Sequence, residues 1–264
     1  MNWDPQDYAR NSSAQLVWAR ELISRMSFAG SEAVLDVGCG DGKITAEFAR
    51  ALPRGYVLGV DSSPEFIAYA AQHYPKARFS SLQFEVMDAR SLNTHHRFDL
   101  VFSNAALHWV DDHPAFLRGV AKHLSIGGRL VLSCGGAGNA SGTIAALEQV
   151  TSSSAWLRYF DGFRFPYHFY SPKDYSVWLP EANLTAVRCE LVEKDMIHDS
   201  PEGLAGWIRT TWWPYTQQLP EELRARFVSD FVSRYLDDNP MDESGRTHVH
   251  MIRLEVEAVK ERTS

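Results

Sequence analysis

An alternation of strand and helix patterns between residues 31 and 133 constrains this chain more than any other feature. Ala33-Val34-Leu35-Asp36-Val37 is a short, mostly apolar run that stops at a glycine cluster, as a buried strand does. Residues 42–52 then carry Ile44, Phe48 and Leu52 at helical spacing. Tyr56–Val60 reads as a second strand, and Ser63-Pro64 as the cap and first-turn proline of a helix to about His73. Leu82–Val86 and Phe98–Phe102 are the next strands, Pro114–Leu124 a helix, and Gly128–Ser133 a fifth strand. Strands joined by helices of this length require right-handed crossovers, hence an α/β parallel sheet with helices on both faces. In doubly wound sheets ligands bind beyond the carboxyl ends of the strands, near the reversal of strand order. The loops after Val37, Val60, Val86 and Phe102 are therefore where a site belongs.

The second half reads differently. Residues 135–142, rich in glycine, form a flexible link into a helix, followed by an aromatic stretch from Trp156 to Trp178. Thr185–Val192 alternates like a strand, and Ser200-Pro201 opens a helix carrying Trp207, Ile208 and Thr211. Residues 220–236 give another helix, and Thr247–Val256 a last strand. The expectation is a single unit: a sheet core from about 30–135 with 184–194 and 246–258, and a helical, Trp-rich cap from about 195–245 over the ligand edge.

Composition narrows the function. Hydrophobic residues make up 45% and charged residues 22%, which excludes a disordered, collagenous or coiled-coil chain. No apolar run approaches the ~20 residues of a membrane span, and the N-terminus lacks the basic start of a secretory signal, so a cytoplasmic protein is expected. The net charge of -7 gives no basic footprint for nucleic acid. Cys39, Cys134 and Cys189 are scattered, without a CxxC pair, and read as reduced thiols. His95-His96 and His248-x-His250 lack the other ligands of a metal site, so none is expected. The 8 Trp either fill a core or line a pocket.

The glycine cluster after the first strand, Gly38-Cys39-Gly40-Asp41-Gly42, admits several readings. A phosphate-binding P-loop fails on spacing, because Gly42-Lys43-Ile44-Thr45 lacks the glycine five residues earlier. A dinucleotide fingerprint needs GxGxxG, whereas this is GxGxG preceded by Asp36. An acid beside so short a loop suits a cation-bearing ligand better than a pyrophosphate. A tight structural turn is the competing explanation. The companions favour a site: Asp61 ends the second strand where a carboxylate can take both ribose hydroxyls, Asp88 follows the third, and Asn104 the fourth.

These motifs resemble those of class I S-adenosylmethionine-dependent methyltransferases. Residues 34–42 resemble the family's glycine motif, residues 59–63 its ribose-binding acid, residues 87–89 its adenine contact and residues 98–104 its fourth-strand motif. The resemblance is strong over about 30–135. Trp3, Tyr8, Gln15 and Ala106-Leu107-His108-Trp109-Val110 are similar to the branch of trans-aconitate and juvenile hormone acid methyltransferases, which methylate carboxylates of small molecules. The resemblance implies a Rossmann-like, mostly parallel seven-stranded sheet, with an N-terminal helix over 12–27 at the cofactor site. It implies S-adenosyl-L-methionine as cofactor and S-adenosyl-L-homocysteine as product. It places Asp36 and Gly38 near the methionine part, Asp61 on ribose, and Asp88 and Ala89 on adenine, with Gly40 and Ser62 also binding the cofactor. Asn104 approaches the methionine amino group through its backbone, and Tyr8 and Gln15 complete the cofactor set.

The expected acceptor is a small-molecule carboxylate. It is ionised at neutral pH and needs positioning, not a general base. His108 and Trp109, just past the fourth strand, and Arg209 in the tryptophan-rich helix are the candidate positioning residues, against plain structural roles for each. Amine methylation of bases is disfavoured, because Ser103-Asn104-Ala105-Ala106 stands where those enzymes carry an Asn/Asp-Pro-Pro-aromatic motif. Two alternatives remain: O- or N-methylation of a phenolic, sterol or other natural-product acceptor, and a cofactor-binding protein without turnover. Monomer and homodimer are both open; no nucleic-acid or membrane partner is expected.

Overall fold

The computed structural model describes residues 13–262. Its single sheet has seven strands in the order β3-β2-β1-β4-β5-β7-β6. The strands are β1 (Ala33–Val37), β2 (Tyr56–Asp61), β3 (Leu82–Val86), β4 (Phe98–Asn104), β5 (Leu124–Gly135), β6 (Thr185–His198) and β7 (Thr247–Val259). The first five pair in parallel, while β7 runs antiparallel to both β5 and β6. Strand order therefore reverses between β1 and β4, with Asp36 in register with Gly59 on one side and Phe102 on the other.

The helices follow the local signals. Helix α1 spans Ser13–Ser24, α2 Lys43–Ala51 and α3 Pro64–His73, whose Ser63 cap accepts from the Phe66 amide at 3.3 Å. Helix α4 (His113–His123) starts on Asp112, which accepts from the Ala115 amide at 2.8 Å. Beyond β5 come α5 (Ser141–Thr151), α6 (Pro172–Glu181), α7 (Pro201–Thr211), the short α8 (Trp213–Thr216) and α9 (Glu221–Asp238). Leu35, Val37, Leu58, Phe98 and Leu132 pack one buried layer with α4 and α6 residues Phe116 and Tyr175. Val34, Phe48, Val57 and Phe102 pack the other with α1 and α2.

Three expectations change. Strand β6 continues to His198, so residues 195–198 belong to the sheet and not to the cap. The hydrophobic cluster over the ligand edge is discontinuous: Trp18, Leu147, Trp156 and Tyr167 join Trp207, Phe231 and Met251 in it, because the α7–α9 segment alone cannot enclose its aromatic rings. Trp156 Nε1 ties this assembly together by donating to Asp230 at 2.9 Å. The glycine run after β5 is a fixed connection, not a flexible link. It is bonded to the Ile252 backbone of β7, with the Gly136 amide donating to the carbonyl at 2.9 Å and the Asn139 side-chain Oδ1 accepting from the amide at 3.0 Å. Gly135 is required there by close approach, since a Cβ would sit 2.6 Å from the Phe169 ring. No helix among the described residues is long and apolar enough to cross a membrane.

Candidate active site

The carboxyl ends of β1 to β4 deliver their loops to one cavity of about 320 Å³, within the size range of small-molecule sites. At its base, Gly38 has φ +74°, and a Cβ there would lie 2.1 Å from the Ala106 Cβ. Only glycine lets the loop after β1 touch the loop after β4 this closely. The Gly38 and Cys39 amides donate to the Val60 carbonyl at 2.8 and 3.0 Å, which holds the turn against β2.

Asp61 accepts from the Gly40 amide at 3.0 Å and the Ser63 amide at 2.9 Å. A carboxylate has about four acceptor positions, so two remain for ligand hydroxyls. Asp36 is 3% exposed and lines a smaller adjoining cavity shared with Gln15, Gly38, Gly40 and Asn104. Burial, reinforced by Asp61 and Asp41, pushes its carboxyl up to about 7 despite a 2.7 Å bond from the Thr45 hydroxyl. A neighbouring cation would restore the carboxylate. Asn104 Nδ2 donates to the Gln15 carbonyl at 3.0 Å, while Asn104 Oδ1 and Gln15 Oε1 are buried acceptors with no hydrogen-bond partner. At the rim, the Arg90 guanidinium grips both Asp88 oxygens and reaches Asp111 at 3.1 Å, holding Asp88 below the usual carboxylate range. Ser62 and Ala89 also line the cavity.

This donor set fits S-adenosylmethionine. Asp61 suits the ribose hydroxyls, the apolar Phe66 and Met87 the adenine, and the idle acceptors of Gln15 and Asn104, with Asp36, an ammonium group.

The cavity continues past the loop after β4. Ala105 adopts φ +57°, a strained setting for a residue with a side chain, and delivers the single turn of 107–109. That turn is braced from behind by His113, which bonds the Leu107 carbonyl at 2.8 Å and the Tyr175 hydroxyl at 2.7 Å. His108 is buried, and burial, with Arg253 and His113 nearby, lowers its imidazole to about 3. The Gly135 amide donates to its Nδ1 at 3.4 Å, which assigns the proton of the neutral ring to Nε2. Trp109 stacks with Trp213 (centroids 6.0 Å apart, planes at 19°) and lies 4.6 Å from the Tyr167 ring. An extended aromatic strap closes this end: the His168 amide donates to the His108 carbonyl at 2.8 Å, and the Tyr167 hydroxyl to the Thr211 carbonyl at 2.5 Å.

The sequence candidates separate here. Asp61, Ser62, Asp88, Ala89, Asn104, Gly38, Gly40, Gln15, His108 and Trp109 come together around the cavity, and Asp36 lies in its annex. Tyr8 falls outside the described residues. Arg209 is exposed and is not among the described residues that line the cavity. Leu204, Trp207, Ile208 and Thr211 take the inward stripe of α7, which turns residue 209 outward. The residue that sequence reading missed is Arg253 on β7. It is 2% exposed, lines the cavity, donates from Nη2 to the Ser133 carbonyl at 2.9 Å, and lies over the Trp18 ring. The alternation Val249, Met251, Arg253, Glu255, all buried, is the signal that would have placed it inward. Among the described residues no group of three or more His, Cys, Asp or Glu is placed to hold a metal ion.

Residues 34–128 match the family described as a methyltransferase domain. The uncharacterized methyltransferase C70.08c of Schizosaccharomyces pombe is 32% identical over 223 residues, which is 83% of this chain and 84% of that protein. Trans-aconitate 2-methyltransferase of Methylobacterium nodulans is 26% identical over 271 residues, 96% of each chain. The solved structure of Haemonchus contortus phosphoethanolamine N-methyltransferase 2, in complex with S-adenosyl-L-methionine, superposes with a TM-score of 0.62 at 16% identity. That match covers 98% of this chain and 57% of that one, and shows a shared fold.

Proposed function

The chain belongs to the S-adenosylmethionine-dependent methyltransferases, and on that premise we propose that its acceptor is the carboxylate of a small acid, converted to a methyl ester. The observation that carries this reading is the buried guanidinium of Arg253 in the cavity wall. A planar fork of N–H donors matches a carboxylate, and its positive charge favours an anionic acceptor over a neutral phenol or an ammonium group. The cofactor, when bound, supplies an electrophilic methyl group on a positively charged sulfur.

The chain's own residues have a modest task. A carboxylate reaches the site already ionised, so no proton need be removed. That agrees with His108, whose imidazole at about 3 is far too weak a base for a phenol or an amine. Instead its Nε2–H is a neutral donor that can fix the second carboxylate oxygen. Trp109, Tyr167 and Phe169 exclude water and hold the acceptor for in-line attack. With the cofactor held by Asp61, Asn104 and Gln15, its methyl would pass to the carboxylate oxygen, the C–S electron pair staying with sulfur, to leave an ester and S-adenosylhomocysteine.

The test is incubation of the protein with methyl-labelled cofactor and matched panels of small carboxylic acids, phenols and amines. Labelled, base-labile esters from the acid panel are expected. Product from phenols or amines alone refutes the carboxylate reading.

A further inference from the structure

Resting on the carboxylate reading, we infer that Trp207 and Trp212 are specificity-determining residues, whose indole N–H groups donate to an uncharged carbonyl oxygen that the acceptor carries away from its methylated carboxylate. Both rings line the cavity, and they are 1% and 2% exposed. Trp207 belongs to the inward stripe of α7. Trp212 follows its last turn, where its amide donates to the Ile208 carbonyl at 2.9 Å. The ring centroids lie 5.8 Å apart with planes at 77°, so the two indoles meet edge to face.

Neither Nε1 has a hydrogen-bond partner among the described residues, and neither is open to solvent. A buried donor left unmade costs stability, and folded proteins keep few of them. This chain can satisfy such a group where no ligand is involved: Trp156, in the same aromatic cluster but not in the cavity wall, donates from Nε1 to Asp230 at 2.9 Å. Polar atoms of the same stretch of α7 are already engaged, Thr210 Oγ1 with the Gly206 carbonyl and the Thr211 carbonyl with the Tyr167 hydroxyl. The edge-on rings offer at most an N–H···π contact, which is weaker than a hydrogen bond. Two donors without acceptors, in the wall that receives the methyl acceptor, are complementary to lone pairs that this molecule brings with it.

The kind of oxygen follows from the donors. Indole is a donor only, and it is uncharged. A carbonyl oxygen has two lone pairs and no proton, so it matches a donor-only pair, whereas a hydroxyl would leave its own proton facing ring carbons. Ionised oxygens are held most strongly by charged donors, and two neutral N–H groups are the counterpart of a neutral oxygen.

Steady-state kinetics of the full chain with saturating S-adenosylmethionine decide the point, using straight-chain oxo acids of graded length, their deoxy parents, trans-aconitate, phenols and amines. A site that donates to a substrate oxygen rejects the analogue that lacks it, because its buried donors are then left unpaired. At about tenfold per hydrogen bond, kcat/KM for the best oxo acid is expected to exceed that of its parent by about 100-fold. Trp207→Phe and Trp212→Phe each keep an aromatic ring and remove one N–H. Each is expected to lower that ratio to about 10, and the double variant to near ~1. A purely packing role would slow both acids together and leave the ratio where it was. A ratio near ~1 in the unaltered protein, or one that survives both substitutions, therefore overturns the inference. In the second case the indoles are packing groups, or they donate to a water shared with His198, whose ring lies 5.8 Å from Trp207 and whose Nε2 also lacks a partner. Turnover of trans-aconitate faster than every oxo acid overturns the uncharged oxygen. These outcomes leave the carboxylate reading standing, whereas methylation of phenols or amines alone overturns that reading as well. Should a Phe variant not fold, the ratio of oxo acid to parent on the unaltered protein still decides.

Discussion

Replacing Asp36 by Asn should make the cofactor-free protein more stable and a poorer binder at once. The carboxyl is 3% exposed beneath the glycine loop, and burial, with Asp61 and Asp41 adding to it, raises it from 3.8 to about 7. In the unfolded chain it titrates near ~3.9, so between pH 4 and pH 7 the folded chain binds its proton more tightly. Stability contributed by this group is therefore fully present below pH 4, falls as pH rises, and levels off above pH 7. At 1.36 kcal/mol per pH unit the ceiling on this destabilisation is about 4 kcal/mol. Asn is isosteric and uncharged, and the Thr45 hydroxyl keeps an oxygen acceptor, though a neutral one worth about 1 kcal/mol less. The net expectation is a variant roughly 2–3 kcal/mol more stable at pH 8 and about equal near pH 4. Urea unfolding of both proteins from pH 5 to pH 8 measures the difference directly. A difference that is flat across that range, or a less stable variant at pH 8, refutes the argument that Asp36 is held under strain. Calorimetry should show weaker S-adenosylmethionine binding by the same variant. Unchanged affinity would make Asp36 a turn residue with no part in the site.

Three further outcomes are expected. Gly38→Ala places a methyl 2.1 Å from the Ala106 Cβ at φ +74°, so the loop must move; a loss of about 2 kcal/mol in thermal unfolding and a more than tenfold drop in cofactor affinity should follow. Asp61→Ala removes the acceptor left open to ligand hydroxyls and should weaken cofactor binding about 100-fold by calorimetry, from two charge-assisted bonds; equal affinity would discard the ribose assignment. Arg209→Ala changes an exposed side chain on the outer face of α7, so KM should stay within about 2-fold and stability within about 0.5 kcal/mol; a tenfold rise in acceptor KM would return Arg209 to the site.

The parallel half of the fold was legible because its strands are covered on both faces and therefore read as unbroken apolar runs closing on glycine or acid. Asp36, Asp61, Asp88 and Asn104 could be placed from that pattern alone. β6 was harder, since an edge strand whose polar residues crowd together at Glu193, Lys194 and Asp195 looks finished well before His198. The acceptor end was legible only in part, for a local reason. Tryptophan density drew attention to α7 and its Arg209, although helical phase already turned that residue outward. Arg253, four positions past Val249 in the alternation of β7, sits between Ile252 and Leu254, where an arginine reads as a surface residue of a strand. The alternation from Val249 and Met251 points it inward, but its burial is completed by α1, whose Trp18 ring lies against it, from a distant part of the chain.

The β6–β7 ribbon has a mechanical consequence. Its residues pair from Thr185 opposite Val259 to His198 opposite Thr247, with one register shift between Ala186 and Arg188. Along β7, Leu254 and Val256 are set in the sheet core, whereas Val249 and Met251 are set in the aromatic roof. Roof and floor are thus joined through one ribbon. Met196, Val249 and Met251 are the ribbon's share of the roof, and two residues further along β7 the same strand carries Arg253 into the cavity wall.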